Sequence, residues 1–282
     1  MAVNLKELYD ACRSRLNRRW GEREAQHISR QLIEECLDTG FESVIAGKSI
    51  DPDPVAMRQF HVAMRRLEWG EPVQYVLGRV CFMGLELKCD RRALIPRPET
   101  EELCRLIIRE NNRPGLHVLD VGTGSGCIAL ALAHHLEAAE VWALDADSKA
   151  IELAAENARI LNIDLHLLQS DIMTQSFASG TFDIIASNPP YVPESEKSGM
   201  DAHVLNFEPH KALFVPDSDP IVFYRSIALL AREKLRPDGG LYFEIHERMG
   251  APIVEMLNSN GFVAVQLHRD LHGKPRIVSC RL

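Results

Sequence analysis

Leu119-Asp120-Val121-Gly122-Thr123-Gly124-Ser125-Gly126-Cys127-Ile128 decides how the chain is read. The apolar run 116–121 ends in three glycines at every second residue, and a helical pattern follows over 126–135. Glycines between a strand and a helix let the backbone turn tightly and approach a ligand closely. Further along, strand-like and helix-like stretches alternate. Strands are predicted at 140–145, 165–169, 182–187 and 241–246, and helices at 148–161, 219–235 and 251–259. Pro237-Asp238-Gly239-Gly240 reads as a turn. This alternation predicts right-handed crossovers and a largely parallel sheet covered on both faces. The last strands, 262–267 and 276–280, have no helix between them and are predicted to pair antiparallel. The expected fold class is α/β, with a Rossmann-like sheet and an antiparallel last strand.

Toward the N-terminus the period changes. Leu5, Leu8, Tyr9, Cys12 and Leu16 recur at helical spacing, as do Ala25, Ile28, Leu32, Ile33, Cys36 and Leu37. Asp51-Pro52-Asp53-Pro54 opens a third helix carrying Val55, Phe60, Ala63, Met64 and Leu67, and Gly70-Glu71-Pro72 ends it. Gly84 between two alternating runs predicts a short hairpin. Pro96-Arg97-Pro98-Glu99 then starts a helix whose acids favour the positive end of its dipole. The expected organisation is a helical domain over 1–78, a hairpin linker over 79–95 and a catalytic domain over 96–282.

The chain has 282 residues, 46% hydrophobic and 26% charged, the balance of a globular protein. No apolar run is long enough to span a membrane, and the start shows no signal-peptide pattern, so a cytoplasmic location and no membrane partner are expected. A net charge of -8 argues against non-specific grip on nucleic acid. Residues 1–80 carry equal numbers of acidic and basic side chains. The seven scattered cysteines form no Cys-x-x-Cys pair and read as buried thiols; no metal site is expected.

The loop Gly122-Thr123-Gly124-Ser125-Gly126 is neither the dinucleotide spacing G-x-G-x-x-G nor a phosphate loop, since no G-K-[ST] follows. Asp145, at the end of the second strand, is placed to accept hydrogen bonds from both hydroxyls of a ribose, while Asp147 or Ser148 suits the cap of the next helix. Asp171 and Ile172 close the third strand. Ser187-Asn188-Pro189-Pro190-Tyr191 follows the fourth, where ligands of open parallel sheets bind. The prolines stiffen the turn. The Asn188 side-chain oxygen and the Pro189 carbonyl offer two acceptors to a planar NH₂ group, and Tyr191 offers a ring face. Such a site holds an amide or aromatic amine with its nitrogen aimed at a donor methyl. An amide nitrogen is a weak nucleophile, so alignment and preorganised dipoles carry the reaction. The proton is expected to leave late, to water or through Asn188, with no dedicated base among His203, His210 and His246.

The glycine spacing resembles the cofactor loop of class I methyltransferases that use S-adenosyl-L-methionine. Leu94-Ile95-Pro96-Arg97-Pro98-Glu99-Thr100-Glu101, the glycine loop, Ser187-Asn188-Pro189-Pro190-Tyr191-Val192-Pro193, Phe207-Glu208-Pro209 and Ala212-Leu213, in that order, closely resemble the PrmC/HemK family. So do Gln74-Tyr75-Val76-Leu77-Gly78 and Phe82. The resemblance covers nearly the whole chain. It implies methylation of the side-chain amide nitrogen, N5, of the glutamine in the Gly-Gly-Gln motif of bacterial class 1 peptide chain release factors, with S-adenosyl-L-homocysteine as product. By that resemblance Asn188 and Pro189 hold the amide and Pro190 and Tyr191 shape its slot. Gly122, Thr123, Gly124, Ser125, Gly126, Asp145, Asp171, Ile172 and Asn188 serve the cofactor. Asp171 meets the adenine amine and Ile172 packs on the ring, where relatives can carry a Trp. The N-terminal helices hold the release factor, direct nucleic-acid binding is not expected, and a monomer is.

Two rivals remain at this point. An adenine exocyclic-amine methyltransferase acting on nucleic acid shares Asn-Pro-Pro-Tyr, but wants a basic cleft. A binding protein that has lost its chemistry would not need an intact Asn188-Pro189-Pro190-Tyr191. Glu208 and Arg97 are read as structural, Glu208 ordering the loop after Asn-Pro-Pro-Tyr and Arg97 pairing with Glu99 or another acid to pin the helix start.

Overall fold

In the computed structural model, which describes residues 2–174 and 180–282, the chain folds into two units. One is Met1–Gly78 together with Asp201–Phe207, and the other is Arg79–Met200 with Glu208–Leu282. The sequence reading runs the catalytic domain unbroken from 96 to 282, whereas Asp201–Phe207 groups with the helical unit. There His203 lies against the Trp20 ring, with centroids 5.0 Å apart.

The helical unit is built on α1 (Leu5–Trp20), α2 (Glu22–Leu37) and α3 (Pro54–Glu68). Asn4 caps α1 by accepting from the amides of Lys6 and Glu7. Asp53 caps α3, with Pro54 in its first turn. The apolar faces legible in the sequence meet in one core: Leu5 and Leu16, Ile28 and Leu32, Phe60 and Met64 are essentially inaccessible. Each such side chain contributes roughly 1.5–3 kcal/mol on burial. Past α3, the Arg66 guanidinium binds both oxygens of Glu71 and the carbonyls of Tyr75 and Val76, which fixes the turn into the short helix Val73–Leu77.

The second unit begins with a hairpin, β1 (Arg79–Phe82) and β2 (Leu85–Lys88). Its two turn residues, Met83 and Gly84, both have positive φ, as a two-residue hairpin matched to strand twist requires. Phe82, Leu85 and Leu87 pack into the same core as Leu103 and Ile107 of α4 (Pro98–Glu110). The sheet then follows: β3 (His117–Val121), β4 (Glu140–Asp145), β5 (His166–Gln169), β6 (Phe182–Ser187), β7 (Leu235–Glu244), β8 (Val263–Arg269) and β9 (Pro275–Arg281). Its order is β8-β9-β7-β6-β3-β4-β5. Strands β3 to β7 pair parallel, and β9 runs antiparallel to both β7 and β8. The expected α/β class with its antiparallel end is therefore the observed one.

Side chains alternate between two cores, one on each face. Val118, Ile184 and Ala186 meet α5 (Cys127–His135) and α4; Leu119, Ile185 and Phe243 meet α7 (Val222–Lys234) and α8 (Gly250–Ser259). Helix α6 (Ser148–Leu161) follows β4. Two local expectations shift. Helix α7 starts at Val222, not 219: the Val222 amide closes a turn onto the Asp219 carbonyl, and Ile221, with φ of -110° and ψ of 17°, is the capping residue. The Pro237–Gly240 turn is absorbed into β7 as an irregularity in its pairing with β6, where Asp238 takes a left-handed φ of 63°. Among the described residues no helix is long and apolar enough to cross a membrane.

The topology positions the site. The chain runs β3, β4, β5 toward one edge, then returns to place β6 on the other side of β3. The strand order reverses between β3 and β6, and ligands of such sheets bind beyond the carboxyl ends at that reversal. The glycine loop leaves β3 there, and Asn188 leaves β6 beside it.

Candidate active site

The amides of Gly122 and Thr123 both donate to the Leu144 carbonyl, at 2.8 and 2.9 Å, drawing the glycine loop toward the end of β4. Gly122 and Gly124 have φ of 74° and 56°, a region side chains rarely adopt. A Cβ on Gly122 would meet no atom within 4 Å, so its bare backbone faces open cavity. Beneath the loop, buried Asp120 accepts from the Thr123 hydroxyl at 2.6 Å and the Ala129 amide at 3.2 Å. Burial pushes its carboxyl up to about 7.

At the end of β4, Asp145 accepts from the Gly124 amide through one oxygen and from the Asp147 amide through the other, both at 2.9 Å. Its carboxyl is raised, chiefly by burial. These bonds lock Asp145 to the loop while lone pairs remain on both oxygens. Asp147 caps α6 through the Lys149 amide. Asp171 turns one oxygen to the Met173 amide at 2.8 Å.

One cavity of about 360 Å³ gathers the predicted residues: Gly122, Thr123, Gly124, Ser125, Asp145, Asp171, Ile172, Asn188, Pro189 and Pro190 all line it. Two predicted residues lie outside that wall. Gly126 precedes α5 with φ of 83°, and a Cβ there would lie 3.1 Å from Ala154 Cβ, so it secures the close packing of α5 on α6. Tyr191 turns inward and donates to Glu244 Oε1 at 3.2 Å.

The Asn188 turn is anchored from beneath. Ser187 donates its hydroxyl to the Val121 carbonyl at 2.6 Å, tying the ends of β6 and β3 together. Asn188 Nδ2 donates to Thr100 Oγ1 at 3.1 Å, and Thr100 donates to Glu244 Oε2 at 2.6 Å. Glu244 ends β7, is 1% exposed, and burial pushes its carboxyl up to about 7. Thr100 and Glu244 were not singled out by the sequence reading. The available signal was a carboxylate closing an otherwise apolar strand, Leu241-Tyr242-Phe243-Glu244.

Glu208 and Arg97 are partners. Arg97 Nη2 lies 2.5 Å from Glu208 Oε1, and Glu208 Oε2 accepts from the Ile95 amide at 3.1 Å. Of the histidines considered as bases, His203 belongs to the helical unit, and His210 stacks edge-on against Phe214. His246 sits by Tyr191 and Glu196. None of the three lines the cavity.

The bare backbone at Gly122, the locked carboxylate of Asp145 and a cavity within the usual size of small-molecule sites fit a nucleoside-type cofactor. A glycine loop and an Asn-Pro turn on either side of a strand reversal define a class I methyltransferase. The Methyltransferase small domain family matches residues 104–213. In fold, residues covering 72% of this chain superpose on 49% of a Thermus thermophilus 16S rRNA methyltransferase bound to AdoMet and guanosine, with TM-score 0.51 at 18% identity. A Pyrococcus furiosus methyltransferase matches over 70% of this chain and 89% of its own, with TM-score 0.50 at 20% identity. Among relatives by sequence, the release factor glutamine methyltransferase of Bacteroides thetaiotaomicron is 40% identical over 91% of this chain and 92% of its own. That of Deinococcus radiodurans is 33% identical over 99% of both. The chain belongs to the release factor glutamine methyltransferase family.

Proposed function

We propose that this chain transfers a methyl group from S-adenosyl-L-methionine to the side-chain amide nitrogen, N5, of the glutamine in the Gly-Gly-Gln motif of class 1 peptide chain release factors. The observation that carries this reading is the orientation of Asn188. Its NH₂ is engaged by Thr100, so its side-chain oxygen is the group left to receive a substrate NH₂.

Gly122, Thr123, Gly124, Ser125, Asp145, Asp171 and Ile172 hold the cofactor, with Asp145 accepting from its ribose hydroxyls. Bound there, S-adenosyl-L-methionine supplies an activated methyl group and is released as S-adenosyl-L-homocysteine. Asn188 Oδ1 and the Pro189 carbonyl accept the two N–H bonds of the glutamine amide, which fixes its plane and the direction of its nitrogen. Pro190 shapes the slot, and Tyr191 braces the turn from behind through Glu244. The amide proton leaves to water or through the Asn188 contact. The helical unit holds the release factor, and the protein works as a cytoplasmic monomer.

The test is incubation with labelled cofactor and, separately, purified class 1 release factor, duplex DNA and RNA. Label in the release factor alone is expected; label in nucleic acid alone would establish the adenine-amine reading instead.

A further inference from the structure

A carboxylate buried to 1% exposure is costly to keep ionised, and Glu244 fills space that an apolar or amide side chain of similar size could fill. What only a carboxylate supplies is direction. Ionised, it accepts hydrogen bonds and donates none. Thr100 has one hydroxyl hydrogen, and at 2.6 Å from Glu244 that hydrogen is committed to the carboxylate. The Thr100 oxygen can then only accept, so the Asn188 group facing it at 3.1 Å must be the NH₂. The Asn188 oxygen is thereby turned away from Thr100. Tyr191 OH occupies the other carboxylate oxygen at 3.2 Å, which joins both ends of the Asn-Pro-Pro-Tyr turn to the same group. Burial keeps the Tyr191 phenol well above its ordinary range, so it remains a donor.

We propose that Glu244 and Thr100 are positioning residues that set the amide orientation of Asn188, and through it the preference of the site for an NH₂-bearing substrate. This rests on the function proposed above and deepens it. Glu244 lies behind Thr100, away from the cavity wall; Thr100 lines the cavity and acts through its contact with Asn188.

The device is polar, so protonating Glu244 reverses it. A protonated carboxyl can donate to Thr100, which frees the Thr100 hydrogen for the Asn188 oxygen and removes the bias. The groups facing Glu244 electrostatically are Glu99, Thr100 and Cys104 of α4, Cys127 of α5, Tyr191, Tyr224 of α7 and Arg276 of β9. Arg276 favours the ionised form and Glu99 opposes it. With the Glu244 carboxyl near neutrality, turnover should fall as the medium is acidified through about pH 7.

The experiment uses the full chain, a class 1 release factor and S-adenosyl-L-methionine, with turnover, KM, cofactor Kd by calorimetry and melting temperature measured side by side. Thr100→Val, close in shape but without the hydroxyl, should lower kcat at least about tenfold while cofactor Kd moves less than about twofold. Thr100→Ser, which restores the hydroxyl, should return kcat to within about threefold of the parent. Glu244→Gln should lose the acidic limb of the kcat profile. Wild-type kcat in Thr100→Val overturns the inference alone. So does a parallel loss of cofactor binding and melting temperature in Thr100→Val that Thr100→Ser does not restore, since that marks a packing role. A parent chain that labels no release factor overturns the proposed function and this inference with it.

Discussion

Arg97 and Glu208, 111 residues apart in the chain, meet in a 2.5 Å ion pair whose carboxylate side chain is 1% exposed. The pair ties the segment before α4 to the loop that follows the Asn-Pro-Pro-Tyr turn, and Pro96, Arg97 and Pro209 all line the cavity. The two partners are unequal. Arg97 is 32% exposed and can be hydrated if left alone; Glu208 cannot. Arg97→Leu should therefore cost roughly 3–5 kcal/mol, the penalty for stranding a buried charge. Glu208→Leu should cost less, about 1–3 kcal/mol, mainly for the orphaned Ile95 amide. Denaturant unfolding of both variants checks the order, and an equal or reversed cost would contradict it.

Asp145→Asn keeps the shape of the residue but removes its charge and turns one acceptor oxygen into an NH₂ donor, which must then face the Gly124 or the Asp147 amide. Cofactor affinity should fall by about 10- to 100-fold, the usual worth of a hydrogen bond to a charged group. Calorimetric titration with the cofactor reads this directly. Binding unchanged within error would remove Asp145 from the ribose role.

The two buried carboxyls predict a pH dependence of stability. Asp120 and Glu244 are each held up to about 7, first by burial. A carboxyl whose folded value exceeds its unfolded value binds its proton more tightly in the folded state. Its contribution is complete below the unfolded value of about 4 and is lost as pH rises through about 7. The doubly substituted Asp120→Asn, Glu244→Gln chain, which has no such protons to lose, should show a shallower fall in melting temperature between about pH 5.5 and 8 than the parent. Calorimetric scans across that window decide it, and identical slopes would mean the two groups titrate near their ordinary values.

Asn188→Ala should lower kcat by about 10²–10³ with cofactor Kd nearly unchanged, the usual effect of removing one preorganised hydrogen-bonding group. Asn188→Asp should also be impaired although it keeps the oxygen. Two carboxylates, at 188 and 244, would then compete for the single Thr100 hydrogen. Steady-state kinetics of both variants, set beside cofactor titration, tests this. An active Asn188→Asp would show that orientation by Thr100 is dispensable.

The sheet was legible because its strands are short apolar runs buried on both faces, such as Val118, Leu119 and Val121 of β3 or Ile184, Ile185 and Ala186 of β6. The glycine loop and Asn188 were legible because their neighbours in sequence are also their neighbours in space. Thr100 and Glu244 were not, since 144 residues separate them and no local pattern pairs them. The ion pair of Arg97 was half visible: an acidic partner was expected, but Glu208 arrives through topology. The five-residue helices Phe41–Ile45 and Val73–Leu77 are too short to display a period, and the latter is held by Arg66 from outside its own sequence. Asp201–Phe207 carries no composition change that would reveal its place in the helical unit.

The most direct test of the central claim, that the Asn188 turn grips a carboxamide, is fragmentation mass spectrometry of a class 1 release factor incubated with this protein and S-adenosyl-L-methionine. The account predicts a single added methyl on the side-chain amide of the glutamine in the Gly-Gly-Gln peptide. A methyl located on any other residue, or an unmodified release factor under conditions where nucleic acid becomes methylated, would contradict it.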